Sequence, residues 1–494
     1  MPEFRAPGVY IEEIAGPQGI TGVETSTAAF LGEAERGVCL PQRITSAAEF
    51  SRLYGRRVAG RHLADAVNGF FLNGGRQLVI CRIAGRTSQT AHLRLGAYLM
   101  EANGPGEWGN RLWVRLERIA DTFRLRIALL PPQATDSPLA DPFDNLRPVP
   151  AFEMLEEFTD IAPSGEGGDS FEDRLMASSL VVVSRVPGAV DGLPQFLSAP
   201  LRAGTTVPAA SADFEGDAKS GLIALRDGDF DDVALLHAPY PSRDAIEVAR
   251  VLIADCERSK TRFAVIDSPP EIPLIREYDP RIDVADTGYA AFYYPWIEVA
   301  DDAAGATRTI PPGGYVLGVY ARTDAQEGVF RSPVDTVVGA LRLSANINDG
   351  LQGILNPVGI NAIRAFQGLG IRVWGARTLS TEPDWKYVSV RRFLIFLEHS
   401  MNEGLQWVVF EPNDERLWAR VRDTIRLFLR SQWMIGGLAG PTEDNAFFVV
   451  CDRTTMTQDD IDNGRLIVTI GMAVTNPAEF VVITISQLAG HPDP

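Results

Sequence analysis

Residues 233–266 constrain the fold more than any other stretch. Residues 233–237 (VALLH) and 262–266 (RFAVI) are short apolar runs of strand length, and 243–256 between them (RDAIEVARVLIADC) reads as a helix. Strand, helix, strand in that order is a βαβ unit, whose crossover connection belongs to α/β architecture. The chain before it is of the same kind. Residues 28–31 read as a buried strand ending at Gly32, and 46–54 as a helical turn with Ser46 at the N-cap and Glu49 three residues on. Residues 63–72 read as a helix closed by Asn73-Gly74-Gly75, and 77–83 (QLVICRI) as a strand. Further strands are expected at 290–299, 315–320, 370–374, 406–410, 446–451 and 465–474, with a helix over 386–402.

The character changes between about 93 and 215. Residues 112–116 and 123–128 alternate apolar and polar side chains, as a half-exposed antiparallel hairpin does. Pro- and Gly-rich stretches follow, then a strand at 178–184. This is a surface-facing, β-rich insertion in an α/β core. Both chain ends carry lone β-prone runs, within 9–14 after Pro7-Gly8 and at 479–486 (EFVVITIS). A lone strand cannot satisfy its own backbone, so each must join a sheet, of its own chain or of a neighbour's. The Gly-rich 15–22 between the first run and the core can act as a tether.

One helix stands out by charge. Stepping 413–433 at about 100° per residue places Leu417, Trp418, Val421, Ile425, Phe428 and Leu429 within an arc of ~120°. Arg416, Arg420, Arg422, Arg426 and Arg430 take the opposite side. Residues 416–430 hold five Arg and one Asp, while the chain of 494 residues carries a net charge of −18. A cationic stripe on an acidic protein points to an acidic partner surface; the alternative is a solvated helix face.

That overall charge, with a pI near 4.8, argues against nucleic acid and anionic membrane surfaces as partners. No run reaches the ~18 apolar residues of a membrane span, and MPEFRAPGVY lacks the layout of a signal peptide, so synthesis in the cytoplasm is expected. Cys39, Cys81, Cys256 and Cys451 are isolated, as are the five His, so no metal site is expected.

Motifs that could carry chemistry fail on context. Gly104, Gly106 and Gly109 match the letter of a dinucleotide fingerprint, but Pro105 sits in the loop and a strand follows where a helix is required. The run 459–464 (DDIDNG) would place Ile461 and Ile470 where a calcium loop needs oxygen ligands. The acid pairs Glu156-Glu157, Asp231-Asp232 and Asp301-Asp302 are adjacent, so on strands they point to opposite faces. No catalytic residue and no cofactor is assigned. The rival readings are a cytosolic α/β enzyme with a β-rich insertion and a static tube or shell protein.

Several blocks resemble the tail sheath proteins of contractile phage tails and related injection systems. They are APGVYIEEI with GVETSTAAFLGEAERG near the start, GPGEWGNRLWV at 104–114, and a dense series from Gly288: GYAAFYYPWIEV, IPPGGYVLGVYARTD, GVFRSPVD, LNPVGINAIRAFQGLGIRVWGARTL, WKYVSVRRFLIFLEHSM, QWVVFEPNDERLWARVRDTIRLFL and DIDNGRLIVTIGMAVTNPAEFVVITI. The resemblance implies a mixed α/β sheath-type core domain with an inserted β-rich outer domain and extended terminal strand arms. The corresponding division is 1–24 arm and linker, 25–92 core, 93–215 insertion, 216–478 core and 479–494 arm. It further implies subunits stacked as six-fold rings around an inner tube, with baseplate and terminator or cap proteins as further partners. Val9, Tyr10, Ile11, Glu12, Glu13 and Phe480, Val481, Val482, Ile483, Thr484, Ile485 would then add strands to neighbouring subunits. The five arginines of 413–433 would face the tube. Trp374, Trp385 and Tyr387 are expected in core or intersubunit packing, and Arg377, Arg391 and Arg392 against buried or interfacial carboxylates.

Overall fold

The computed structural model describes residues 19–132, 141–144, 152–162, 170–189, 192–240, 244–272, 274–301 and 305–479. Both terminal strand runs, Val9 to Glu13 and Phe480 to Ile485, lie outside the described residues, as does Asp302. The chain divides into two compact units, residues 24–391, and residues 392–494 together with 1–23.

The larger unit is built on an eight-stranded sheet, in the order Gly370–Val373, Ile360–Phe366, Ala290–Tyr294, Phe263–Asp267, Leu235–His237, Ala28–Gly32, Leu78–Arg82, Gln42–Ile44. The six inner strands run parallel and the two edge strands antiparallel. Inner strands flanked on both faces must be apolar throughout. Ala28–Gly32 and Leu78–Arg82 are accordingly buried at every position. Even Arg82 is enclosed, donating to the carbonyls of Gly37 and Pro105 at 2.7 and 2.8 Å. The expected βαβ unit is present, with helix Ala245–Ser259 joining two strands paired in parallel, Leu235 opposite Phe263.

Helix Ala47–Tyr54 starts as its sequence predicts: the Ser46 side chain accepts from the N–H of Glu49. The Glu49 carboxylate returns to the N–H of Thr45, one residue before the cap. Helix Leu63–Leu72 has the bounds read from the sequence. It packs against helix Gly313–Gln326, and glycines set the approach. A Cβ on Gly69 would meet the Tyr315 ring at 2.1 Å, one on Gly314 the Ala66 backbone at 2.4 Å, and one on Gly318 the Asn73 Cβ at 2.5 Å. This second helix corrects the strand expected at 315–320. Tyr315, Val316, Leu317, Gly318, Val319, Tyr320 and Ala321 are all buried, so no polar face marks the helical period.

Within the same unit, Phe196–Pro200, Leu112–Ile119, Thr122–Leu129 and Met154–Ile161 form an antiparallel sheet, and His92–Leu95, Tyr98–Ala102 and Val181–Arg185 a second. They share a hydrophobic cluster that includes Trp108, Val114, Leu125, Ile127 and Phe171. Buried charges, with the exposed Arg56 at their rim, tie this region to the first strands of the unit. Arg111 pairs with Glu35 at 2.6 Å and Glu153 at 3.6 Å, Arg36 with Glu153 at 3.4 Å, and Arg56 with Glu153 at 2.9 Å.

The smaller unit contains helix Val388–Gly404 from Arg392 onward, helix Glu415–Met434, and the hairpin of Phe447–Val450 with Thr469–Met472. Residues 20–23 lie along the first helix: Val23 donates its N–H to Ser400 Oγ at 3.1 Å, and Gly22 abuts the Phe396 ring. Residues 406–410 are not the expected strand. Gln406–Val408 is a 3-10 turn, and Phe410 follows with φ 72° and a fully exposed ring, 102 % of its reference area. The run is β-prone but has no partner strand among the described residues, so its backbone closes on itself.

Candidate functional site

Helix Glu415–Met434 begins one residue after Asp414, whose side chain accepts the N–H groups of Arg416 and Leu417 at 3.0 and 2.9 Å. That satisfies two of the four orphan donors of the first turn and adds negative charge at the positive end of the helix dipole. At the far end Gly436 has φ 89°, and the Gly437 N–H returns to the Gln432 carbonyl at 3.0 Å. Leu417, Trp418, Val421, Ile425, Phe428 and Leu429 are all buried, as the periodicity predicts, and Phe428 packs on Phe396. The indole of Trp418 donates to Asn413 Oδ1 at 2.7 Å, which locks the start of the helix.

The five arginines do not behave alike. Arg426 and Arg430 both reach Glu443, at 2.5 and 3.5 Å, and Arg426 also approaches Asp444 at 3.7 Å. Arg422 leans on Asp423 at 3.3 Å. Arg420 lies over the Trp407 ring, 4.4 Å from its centroid, in a cation–π contact that leaves its charge uncancelled. Arg416 is exposed and has no ion pair among the described residues. Positive charge is therefore concentrated on the N-terminal half of the stripe. Beside that half lies an open hollow of about 340 Å³ lined by Glu415, Trp418, Arg422, Cys451, Asp452 and Arg453.

The structure also separates the carboxylates of Glu156 and Glu157. On strand Met154–Ile161, Glu156 accepts from the hydroxyls of Ser178 and Ser179, while Glu157 pairs with Arg124 on the neighbouring strand. Asp232 is clasped by Arg43, and Asp301 by Arg57 and Arg308. Gly104 and Gly106 take φ of 121° and 128° in a turn that leads through the short 3-10 helix Glu107–Arg111 into a strand, so the α-helix that a dinucleotide fingerprint requires does not follow the loop. Residues 458–462 form a short helix capped by Thr457. Within the chain the Arg391 guanidinium lies between the rings of Tyr289 and Trp385, at 3.9 and 4.6 Å, which leaves an interfacial carboxylate as its expected acidic partner. Among the described residues no helix is long and apolar enough to cross a membrane, and no cluster of His, Cys, Asp or Glu is placed to hold a metal ion.

One convergence was invisible in the sequence. His237 and Asp267, thirty residues apart, end adjacent parallel strands, with Nε2 of the imidazole 3.4 Å from a carboxyl oxygen. His237 Nδ1 is 2.9 Å from the Val265 carbonyl, and Asp267 accepts the N–H of Gly313 at 2.7 Å, at the start of helix Gly313–Gln326. Burial pushes the imidazole down to about 4 and the carboxyl up to about 8. Near neutral pH both are uncharged, a pair that fills the sheet end without an ion pair.

Models of the phage tail sheath protein central domain and of the phage tail sheath C-terminal domain match residues 223–379 and 380–487, together more than half of the chain. The chain belongs to the phage tail sheath family. A putative prophage major tail sheath protein of Pseudomonas aeruginosa is 25% identical over 280 residues, 53% of this chain and 67% of that protein. The tail sheath protein of Vibrio phage KVP40 is 24% identical over 181 residues, 36% of this chain and only 26% of the phage protein. Among solved structures, the helical sheath of the anti-feeding prophage in its contracted state shares the fold, with a TM-score of 0.62 at 24% identity, covering 98% of this chain and all of that one. The sheath-type α/β fold inferred from the sequence blocks is thus the fold observed.

Proposed function

We propose that the chain is the repeating subunit of a contractile sheath, stacked in six-fold rings around an inner tube that it drives through a target envelope. The observation that carries this reading, beyond family membership, is the hairpin of the smaller unit. Phe447–Val450 and Thr469–Met472 pair only with each other among the described residues. A two-stranded ribbon is marginal on its own, and its outer edges offer unpaired N–H and C=O groups. Phe448 on it is 55 % exposed. The β-prone runs at the two chain ends, with Val9 to Glu13 and Phe480 to Ile485, supply strands of the right kind. Added from neighbouring subunits, they complete the ribbon and link the lattice through backbone hydrogen bonds.

In this reading residues 93–215 are an outward insertion in the core formed by 25–92 and 216–478, and Arg416, Arg420, Arg422, Arg426 and Arg430 face the tube. Baseplate and terminator proteins close the two ends of the polymer. Subunits are made in the cytoplasm and become part of a tail or injection particle. The energy of contraction comes from repacking of subunit contacts, with no nucleotide hydrolysed; nucleotide turnover by the purified polymer would contradict that. The direct test is electron microscopy of the full chain and of chains lacking 1–18 or 480–494, each mixed with tube and baseplate. The full chain should form sheathed tubes of two diameters, and each shortened chain should remain folded but unpolymerised. Polymers of one fixed diameter would favour a static shell, and normal polymers from both shortened chains would refute strand exchange.

A further inference from the structure

Arg391 stands in the first turn of helix Val388–Gly404 and is only 7 % exposed. Its guanidinium is held by two rings of the larger unit, 3.9 Å from the Tyr289 centroid and 4.6 Å from that of Trp385. The rings are fixed in turn. The Tyr289 carbonyl accepts from the Ala264 N–H at 2.9 Å, and the Trp385 carbonyl from the Thr378 hydroxyl at 2.6 Å. Gly288 admits the close approach, since a Cβ there would meet the Trp385 Cβ at 3.1 Å. The aromatic contacts leave the hydrogen-bonding edge of the guanidinium unused. Among the described residues no carboxylate or carbonyl accepts from it, and Nε is shut off from solvent without a partner. Arg111 and Arg262, buried in the same unit, each meet a carboxylate, at 2.6 and 3.1 Å. The acids nearest to Arg391 along these loops are turned away from it: Asp286 accepts from Thr381 through both oxygens, and Glu382 and Asp384 are exposed. A guanidinium taken out of water with no anion beside it is costly, and its donors sit in a fixed fork that matches a carboxylate.

We propose that Arg391 is a preformed carboxylate socket, and that the carboxylate comes from a second copy of this chain. The inference rests on the polymer proposed above and adds a named contact between its subunits. Charge favours a copy of the chain as the source. Asp and Glu number 64 against 46 Lys and Arg, so each copy carries carboxylates that no cation of its own can cancel. A cationic socket on such a chain is complementary to its twin. A lone Arg–carboxylate pair in water is weak, and a lattice that holds both groups in place raises their effective concentration. The aromatic walls have already fixed the fork, so little rotamer freedom remains to be lost on pairing. The socket is therefore unsatisfied in a free subunit and satisfied in the polymer, which biases the chain toward assembly.

The experiment compares free subunits with polymer formed on tube and baseplate, for the parent, Arg391→Met and Arg391→Lys. Arg391→Met keeps a flexible chain between the rings and removes the charge. In the free subunit its urea midpoint should equal or exceed the parent's, because an unpaired buried charge is gone. Polymer formation should then need ~10-fold more subunit, as loss of one partner of a buried interfacial pair does. Arg391→Lys reads the contact even if Arg391→Met unfolds. It places an amine at the socket in a chain with three lysines, so carbodiimide can join it to the bound carboxylate as an amide. In polymer mixed from isotopically light and heavy subunits, mass spectrometry should find that amide between a light and a heavy chain. An amide only within one chain, or a midpoint of Arg391→Met well below the parent's, means an internal partner and overturns the socket. An amide to tube or baseplate protein overturns the second copy as its source. If the parent polymerises and Arg391→Met does so equally, this inference falls while the sheath reading stands. If the parent forms no polymer with tube and baseplate, both fall.

Discussion

Replacing Gly314 by Ala sets two physical effects of known sign against each other. In an exposed helix interior the change gains about 1 kcal/mol, because Gly gives up more backbone freedom on folding than Ala. At Gly314 the new methyl would lie 2.4 Å from the Ala66 Cα and 2.5 Å from its carbonyl oxygen. Both contacts are backbone atoms of helix Leu63–Leu72, so no side chain can swing away. Tilting one helix over the other gives no relief, since Gly69 and Gly318 hold the same interface at 2.1 and 2.5 Å. The helices must separate by about 1 Å, and overpacking of that kind costs up to ~3 kcal/mol. The expected net loss is about 2 kcal/mol. Gly353, in helix Asp349–Leu355, has nothing within 4 Å of its would-be methyl, so Gly353→Ala should stabilise by up to ~1 kcal/mol. Urea unfolding of the unpolymerised subunits, followed by tryptophan fluorescence, measures both. If Gly314→Ala matches Gly353→Ala in sign, close helix approach is not what the glycines provide and the argument fails.

Two more substitutions probe the charges of the larger unit. Glu153→Gln removes the carboxylate shared by the buried Arg36 and Arg111 and the exposed Arg56, leaving Glu35 as the one acidic partner of the two buried guanidinium groups, and should cost ~1–3 kcal/mol in the same urea titration. A change below ~1 kcal/mol would mean that the cluster is solvated. Asp267→Asn tests the buried pair through pH. The folded-state pKa of Asp267, about 8, lies above its unfolded value of ~3.9, so the folded chain holds a proton that the unfolded chain releases. The stability that this proton contributes is complete below pH ~4 and is lost as pH rises to about 8, at up to ~1.4 kcal/mol per unit. The Asn variant lacks that loss, so its stability relative to the parent should climb through this window and level off above it. The opposite trend would mean that Asp267 is ionised against a protonated His237.

Sequence patterns revealed the elements that face two environments. Helices Leu63–Leu72 and Glu415–Met434 were legible because one side of each meets solvent or a polar neighbour, which leaves a period to read. Helix Gly313–Gln326 was not, because burial on all sides erases the period and leaves only an apolar run that also suits a strand. The error at 406–410 has a different origin. Trp407, Val408, Val409 and Phe410 have strand propensity, but propensity is realised only where a partner edge exists. The candidate site was half legible. The arginine stripe follows from helical spacing, whereas its division into paired and unpaired charges depends on Glu443, brought alongside by the turn after the helix. His237 and Asp267 meet only because their strands are neighbours, a fact of sheet order that no local pattern encodes.

The two units differ in how completely they satisfy themselves, and the difference bears on where a moving lattice makes its contacts. The eight-stranded sheet is finished by antiparallel edge strands, and its charges are paired in buried clusters such as Arg36, Arg111, Glu35 and Glu153. Its inner strands are paired on both sides, so it suits a body that moves as a block. The smaller unit leaves a two-stranded ribbon, the exposed ring of Phe410 and the exposed arginine face of helix Glu415–Met434. On the proposed function these features supply two kinds of contact with different physics. Strand addition exchanges many backbone hydrogen bonds and is directional, so it can persist while the blocks rotate. Exposed ion pairs and a small apolar patch are individually weak, so they hold register and then yield together. On the proposed function, a sheath that stays connected while it slides along its tube requires one bond of each kind, and the smaller unit offers a surface for each.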